Sequence, residues 1–240
     1  MTSRDSGFDV LPDVFSPAEM QGVSAHLATP TLRRSRAGAR NAGSDPVVAA
    51  LARDNRLVRI ARGVLGGDPF PYRATLFDKS KRSNWLVVWH QDTALPLRTR
   101  RDVPGWGPWS IKAGVLYAHA PAEALSRIVA LRVHLDDSTA ENGPLKVLPG
   151  THHLGVLTDA QIKDSSRAIE PVACLVGAGG VVVMRPLLVH SSSKVSGPAP
   201  RRVVLHIEYA TSRQLGDGLE LQFADISEQL RPDRVASSTT

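Results

Sequence analysis

After Pro71 the chain changes period, and this change limits the fold more than any other feature of the sequence. Residues 72–79, 84–91, 110–118, 128–135, 144–148, 168–175, 180–184, 187–190 and 201–210 each read as a short strand rich in Val, Ile, Leu, Tyr and Trp. Gly, Pro, Asn, Asp and Ser turn signals separate them, the pattern of a sandwich or barrel of many short strands. Eight or so such strands fit a jelly roll, the cupin-like double-stranded β-helix in which two sheets face each other. The expected fold class is therefore mainly β.

The first 70 residues read differently. Residues 1–15 are expected to be an arm with little structure. Ser16-Pro17-Ala18-Glu19 is a capping box with proline at the first helical position, so a helix should run to about His26. The Arg-, Gly-, Ala- and Ser-rich stretch 33–45 reads as a loop. From Pro46 to about Val64, Val47, Leu51, Leu57, Ile60 and Ala61 recur at helical spacing until Gly66-Gly67, Pro69 and Pro71 end the element. Thr158-Asp159-Ala160-Gln161 is a second capping box, and the tail from Arg231 to Thr240 is polar. The expected organisation is a single domain: 1–70 as helical support, 71–212 as jelly-roll core, 213–240 as a C-terminal extension.

Composition narrows the setting. At 42% hydrophobic and 22% charged residues the chain has globular proportions. It contains no apolar run near the roughly 20 residues that span a bilayer, and no apolar signal core follows Met1. Cys174 is the sole cysteine, which rules out an intramolecular disulfide and a cysteine-type zinc site. A cytoplasmic protein without a membrane partner is expected. The formal net charge is +6, but the one dense basic group, Arg33, Arg34, Arg36 and Arg40, lacks interleaved aromatic rings, so nucleic acid is not the favoured partner. The excess of arginine instead inclines the reading towards an anionic or carboxylate-bearing small molecule. Nothing in the residues sets the oligomeric state.

The chemistry is concentrated in Trp89-His90-Gln91-Asp92. In an extended strand His90 and Asp92 project to one side and Gln91 to the other. Imidazole plus carboxylate suits a divalent first-row metal, and a second histidine would complete the 2-His-1-carboxylate set that leaves coordination positions open. His190, in the late segment 186–192, is the candidate. A short hairpin beyond it stand Arg201 and Arg202, either of which has the planar fork to grip a carboxylate; strand alternation lets only one face inward.

These residues resemble those of the phytanoyl-CoA dioxygenase family of Fe(II)- and 2-oxoglutarate-dependent oxygenases. The resemblance is carried by Asp78-Lys79, Trp89 through Asp92, Leu131 through Asp137, Asn142 through His152, His190-Ser191-Ser192 and Arg201, and it covers about residues 70–212. It implies that His90, Asp92 and His190 bind Fe(II). It also implies that Arg201, favoured over Arg202 by the family interval, pairs with the distal carboxylate of 2-oxoglutarate, that Ser192 donates a hydroxyl to the same group, and that Thr75 is a further cosubstrate contact. Where the family often has an asparagine after the distal histidine, this chain has Val195. The implied reaction consumes O₂ and 2-oxoglutarate, releases succinate and CO₂, and oxidises a C–H bond of a small molecule. Related halogenases lack the carboxylate ligand, so Asp92 argues for hydroxylation or a similar oxidation.

Other residues admit two readings. Trp106 and Trp109 either line a substrate site or plug the open end of the barrel. Arg132 either faces the pocket or pairs with Asp136 or Asp137. His26, His119, His134, His152, His153 and His206 are read as structural, Asn142-Gly143 as a turn, and Gly177–Gly180 lacks the following helix a phosphate loop needs. The competing functions are a nucleic-acid demethylase of the AlkB type and a non-catalytic jelly-roll binding module.

Overall fold

From Arg202 to Ala210 the side chains alternate polar or small with bulky apolar, and this alternation decides how the main sheet uses its two faces. The computed structural model describes residues 3–28, 38–80, 83–196, 201–223 and 226. In chain order the strands are β1 (Phe8–Leu11), β2 (Gly38–Ala39), β3 (Phe70–Lys79), β4 (Val87–His90), β5 (Ala94–Pro96), β6 (Trp109–Lys112), β7 (Val115–His119) and β8 (Ile128–His134). There follow β9 (Leu145–Val147), β10 (Val172–Cys174), β11 (Val181–Met184), β12 (His190–Ser192), β13 (Arg202–Ala210), β14 (Gln214–Gly216) and β15 (Leu219–Glu220). The main sheet has the order β1-β11-β8-β13-β3-β2 and the facing sheet β10-β9-β12-β4; β5-β7-β6 and the β14-β15 ribbon are smaller. Two antiparallel sheets connected in this crossed order form the expected jelly roll.

Period two sorts the main sheet's residues by face. Val203, Leu205, Ile207 and Tyr209 of β13 share one apolar cluster with Ala74, Leu76, Leu131, Val133, Val181 and Val183. Met20, Leu27, Val48, Leu51, Leu57 and Ala61 close that cluster from the helices Pro17–Ala28, Pro46–Ala52 and Asn55–Leu65. Each large side chain so buried stabilises by about 1.5–3 kcal/mol relative to exposure. On the opposite face β13 presents Arg202, His206 and Glu208, in register with Lys79, Thr75 and Arg73 of β3. The strand β8 adds Arg132 and His134 beside them. One face of a single sheet is thus core, and the other lines a polar interior.

The helical support is fixed at its ends. The Ser16–Glu19 capping box forms, with the Ser16 amide 2.7 Å from the Glu19 carboxylate, and Arg56 joins Glu19 at 2.8 Å. The Thr158–Gln161 box also forms. Asp45 caps the helix Pro46–Ala52 by accepting from the amides of Val47 (2.9 Å) and Val48 (3.3 Å), and its carboxylate meets His26 Nε2 at 2.9 Å. The Tyr209 hydroxyl reaches from the sheet to the Ala52 carbonyl at 2.7 Å.

Several expectations are corrected. The N-terminal segment is no arm: Phe8–Leu11 forms an edge strand on β11, with Phe8 and Val10 packed on Val182 and Met184. The 110–118 segment is a hairpin, because Ala113 (φ 51°) and Gly114 (φ 81°) take left-handed conformations and reverse the chain. The helix begun at Thr158 continues to Ala168 and leaves only Val172–Cys174 as strand. Residues 185–188 turn, with the Leu188 amide on the Arg185 carbonyl, so β12 begins at His190 instead of ending there. Arg33, Arg34, Arg36 and the 231–240 tail lie outside the described residues. No helix among the described residues is long and apolar enough to cross a membrane.

Asp45→Ala removes an N-cap and a side-chain partner together, so thermal unfolding should show a loss of about 1–2 kcal/mol at neutral pH. Burial opposes ionisation of Asp45, but His26 and the Val48 and Val47 amides hold its carboxyl below the usual range. Its contribution is therefore complete above the ordinary carboxylate pKa of about 4 and disappears as pH falls through the lower folded value. The gap between wild type and variant should close correspondingly in acid.

Candidate functional site

The centre of the molecule is built by two adjacent antiparallel strands, β4 and β12, whose register sets His90 directly opposite His190. Their rings lie 4.2 Å apart, centroid to centroid. Each ring is oriented in the same way: His90 Nδ1 is 2.8 Å from the Val88 carbonyl and His190 Nδ1 is 2.8 Å from the Leu188 carbonyl. A carbonyl only accepts, so each Nδ1 carries a proton and Nε2 is the nitrogen left to face the metal position. Asp92 supplies oxygens 3.7 Å from His90 Nε2 and 3.5 Å from His190 Nε2.

The donor atoms of His90, Asp92 and His190 all lie within 4.8 Å of one another. These separations are too long for direct hydrogen bonds and leave room for one first-row ion between them. The His190 imidazole is neutral, and the Asp92 carboxylate is ionised. Burial alone would raise Asp92, but His190, His206 and His90 where they carry a proton, and Arg73, hold it well below the usual carboxylate range. Burial pushes His190 down to about 4, with Asp92 opposing the fall. The donor set fits an iron-type cation.

The residues around the triad hold it in place. Gln91, just past the end of β4, donates to the Leu187 carbonyl at 2.7 Å and the Gly155 carbonyl at 2.9 Å, and accepts from the Leu157 amide at 2.8 Å. The Asp92 amide donates to the Pro186 carbonyl at 2.9 Å. The two ligand-bearing segments are thus tied to each other by adjacent residues.

Two cavities meet at Asp92. The smaller, about 150 Å³, runs from His90 and His190 to Lys79, Arg132, Ser192 and Arg202. Arg202 is 3% exposed; its Nε donates to the Asn142 carbonyl at 3.3 Å and its Nη2 to Ser192 Oγ at 3.4 Å. Lys79 Nζ donates to Ser192 Oγ and to the Ser193 carbonyl, each at 2.7 Å. Arg132 donates to His206 Nδ1 at 3.1 Å. Arg202 Nη1 and Arg132 Nε are buried with no hydrogen-bond partner among the described residues. Burial and the neighbouring Arg132 push Arg202 down to about 9; burial, Arg202 and Arg132 push Lys79 down to about 7. Burial, then Arg132, lowers His206 to about 3, which leaves that ring neutral. This wall is a set of crowded cations with orphan donors, and a dianionic ligand would satisfy it.

The structure separates the sequence-derived candidates. His90, Asp92 and His190 converge, and Thr75, Ser192 and Arg132 line the smaller cavity. Arg201 does not: it is exposed and forms a two-pronged pair with Asp78 at 2.7 and 2.6 Å, while Arg202 faces inward. The Ser192 hydroxyl is committed to the Gly143 carbonyl at 2.9 Å, so it orients the two cations that donate to it instead of offering a proton. Trp106 and Trp109 line neither described cavity; they belong to a separate apolar cluster with Tyr72, Leu95 and Leu125. Arg132 chooses the cavity over Asp136 and Asp137. Val195 is held by Asn84 through paired bonds of 2.7 and 3.0 Å. Lys79 and His206 were missed as pocket residues, although their shared parity with Arg202 and Thr75 on paired strands was the available signal.

The larger cavity, about 370 Å³, opens on the other side of Asp92 and includes Arg40, Arg73, Thr75, Thr93, Lys112 and Tyr117. Arg73 is consumed internally by a close ion pair with Glu208, to which the Tyr72 hydroxyl also donates at 3.3 Å. Thr93 Oγ1 lies 2.6 Å from His119 Nδ1.

Comparison with known proteins matches residues 3–203 to the family model described as phytanoyl-CoA dioxygenase (PhyH). An L-proline trans-4-hydroxylase from Streptomyces griseoviridis is 29% identical over 191 residues, covering 69% of this chain and 63% of the relative, so the chain matches under two thirds of that protein's length. EctD from S. alaskensis, solved with 2-oxoglutarate and 5-hydroxyectoine, superposes with TM-score 0.64 at 21% identity over 88% of this chain and 76% of that one. HygX from Streptomyces hygroscopicus, solved with nickel, 2-oxoglutarate and hygromycin B, gives TM-score 0.60 at 21% identity over 87% and 84%.

Titrating Co(II) into metal-free protein should fill one site per chain by calorimetry. His190→Ala should weaken binding by more than about 100-fold. Gln91→Ala, which only releases the frame behind the ligands, should weaken it about 10- to 100-fold.

Proposed function

The chain belongs to the phytanoyl-CoA dioxygenase family, and on that footing we propose that it is an Fe(II)- and 2-oxoglutarate-dependent dioxygenase that oxidises a C–H bond of a small molecule. One observation carries the reading: a 2-His-1-carboxylate donor set with both Nε2 atoms turned to one point opens into a cavity whose buried guanidiniums have donors to spare. The relatives support it, since the proline hydroxylase and the ligands solved with EctD and HygX concern free small molecules.

In this reading His90, Asp92 and His190 hold the iron, and Arg202 takes the distal carboxylate of 2-oxoglutarate. Lys79 supplies a second positive charge to that end, and Ser192 fixes the angle between the two cations. Bound iron supplies the oxidising power, drawing on O₂ and on the decarboxylation of 2-oxoglutarate to succinate and CO₂. Arg132, held by His206, keeps the middle of the cavity positive, and Trp85, Val87 and Leu145 form its apolar side and limit water. Thr75 lines both cavities and stands where cosubstrate and substrate meet. A reducing, cytoplasmic setting goes with this reading, supported by the free, buried Cys174.

Charge-assisted hydrogen bonds of the clamp type contribute about 1.5–3 kcal/mol each. Arg202→Gln should therefore weaken 2-oxoglutarate binding to the metal-loaded protein by about 10- to 100-fold, read by calorimetry, while Arg201→Gln changes it less than about twofold. Iron-loaded wild type should also release succinate when a substrate is supplied. Wild type that holds iron and binds no 2-oxoglutarate would point to a non-catalytic binding module.

A further inference from the structure

The larger cavity has an unbalanced charge. Of its three cations, Arg73 is neutralised by Glu208, whereas Arg40 and Lys112 have no ion-pair partner among the described residues. The only carboxylate in its lining is Asp92, which faces the metal position. Both free cations stand at the rim and are exposed.

Tight backbone geometry puts them there. Arg40 follows β2, which pairs Gly38 with Phe77 and Ala39 with Leu76. Gly38 (φ 128°) approaches so closely that a Cβ would lie 1.9 Å from the Leu76 carbonyl oxygen, so only glycine allows this strand to seat. Lys112 is the last residue of β6, immediately before the Ala113-Gly114 reversal, and its ammonium lies 5.4 Å from the Tyr117 ring centroid. Partial burial of its charged end, and after it the like charges of Arg40 and Arg73, lowers the Lys112 ammonium.

We propose that the larger cavity selects a small substrate bearing an anionic group, a carboxylate or a phosphate monoester, which Arg40 and Lys112 grip at the rim while the rest of the molecule extends towards Asp92. The volume, about 370 Å³, is at the small end of ligand sites and suits a compact molecule. The oxidation of that molecule rests on the dioxygenase reading; its capture by the two cations does not.

The test uses a panel of small carboxylic acids and phosphate monoesters, each beside its neutral carboxamide or alcohol. Saturation-transfer NMR would be run on full-length protein loaded with Zn(II), a redox-inert ion, and saturated with 2-oxoglutarate so that the clamp is filled. Acids should bind at least about tenfold better than their neutral partners, and more weakly as salt is raised. Arg40→Gln and Lys112→Gln should each cost the acids about five- to tenfold and remove the salt dependence in part. Both residues are exposed, so melting temperature and 2-oxoglutarate affinity should stay at wild-type values. Neutral partners that bind as well as acids, an empty screen, or equal acid binding by wild type and the double variant would each overturn the proposal. If wild type binds no 2-oxoglutarate, the dioxygenase reading fails separately; the acid preference and its loss in the two variants are then read with Zn(II) alone.

Discussion

The site depends on one cross-strand register, His90 opposite His190. The side-chain period of a strand is two, so a slip of one residue between β4 and β12 would turn one imidazole to the other face of the sheet. The register is secured beyond the two strands themselves. His190 also pairs with Val147 of β9, and Gln91 and the Asp92 amide hold the 186–187 turn from behind. The Nδ1 bonds to Val88 and Leu188 then fix ring rotation, so that backbone position alone delivers two Nε2 atoms to one point.

A second constraint follows from charge. The inner face of the main sheet buries Lys79, Arg132 and Arg202 close together, an arrangement that costs free energy in an empty cavity because each cation loses hydration and repels its neighbours. The lowered Arg202 and Lys79 and the orphan donors on Arg132 and Arg202 express that cost. The apolar outer face, packed on three helices, stabilises the same strands and offsets it. Stability and ligand recognition are thus assigned to opposite sides of β3, β8 and β13, a division that the strand period makes possible.

Much of this was legible in the sequence. The two capping boxes and the change of period at Pro71 form as read, because each is a local signal with a local cause; of the His-x-Asp, His90 ends β4 and Asp92 lies just beyond the strand. What failed was decided by tertiary contacts. Phe8–Leu11 is too short to announce itself and becomes a strand only by adding to β11. The start of β12 is fixed by a turn at 185–188 whose bonds come partly from Asp92 and Thr151. The outward placement of Arg201 is a different case. Its spacing from His190 favoured it, yet the apolar residues Val203, Leu205, Ile207 and Tyr209 share its parity, while His206 and Glu208 share that of Arg202. Amphipathic parity was the stronger evidence, because a core-facing arginine among four large apolar residues would need a buried partner. Arg201 escapes that cost only because it lies just before β13, where it can reach Asp78 in solvent.

The strand β3 shows how one element serves both cavities. Its inward residues run from Lys79 through Phe77 and Thr75 to Arg73, so the strand passes from the proposed cosubstrate anchor to the larger cavity within four alternating positions. Arg73 would be the strongest anion site in that larger cavity if it were free. Burial favours the neutral acid at Glu208, but Arg73 opposes this and binds it, and the Tyr72 hydroxyl occupies the other oxygen. The pair spends the charge of Arg73 inside the wall, next to Asp92, where an unbalanced cation would otherwise draw an anionic ligand onto the metal position. The remaining positive potential is displaced outward to Arg40 and Lys112. A ligand caught there by its charge leaves the space beside Asp92 to its uncharged portion, which is the portion a C–H oxidation must reach.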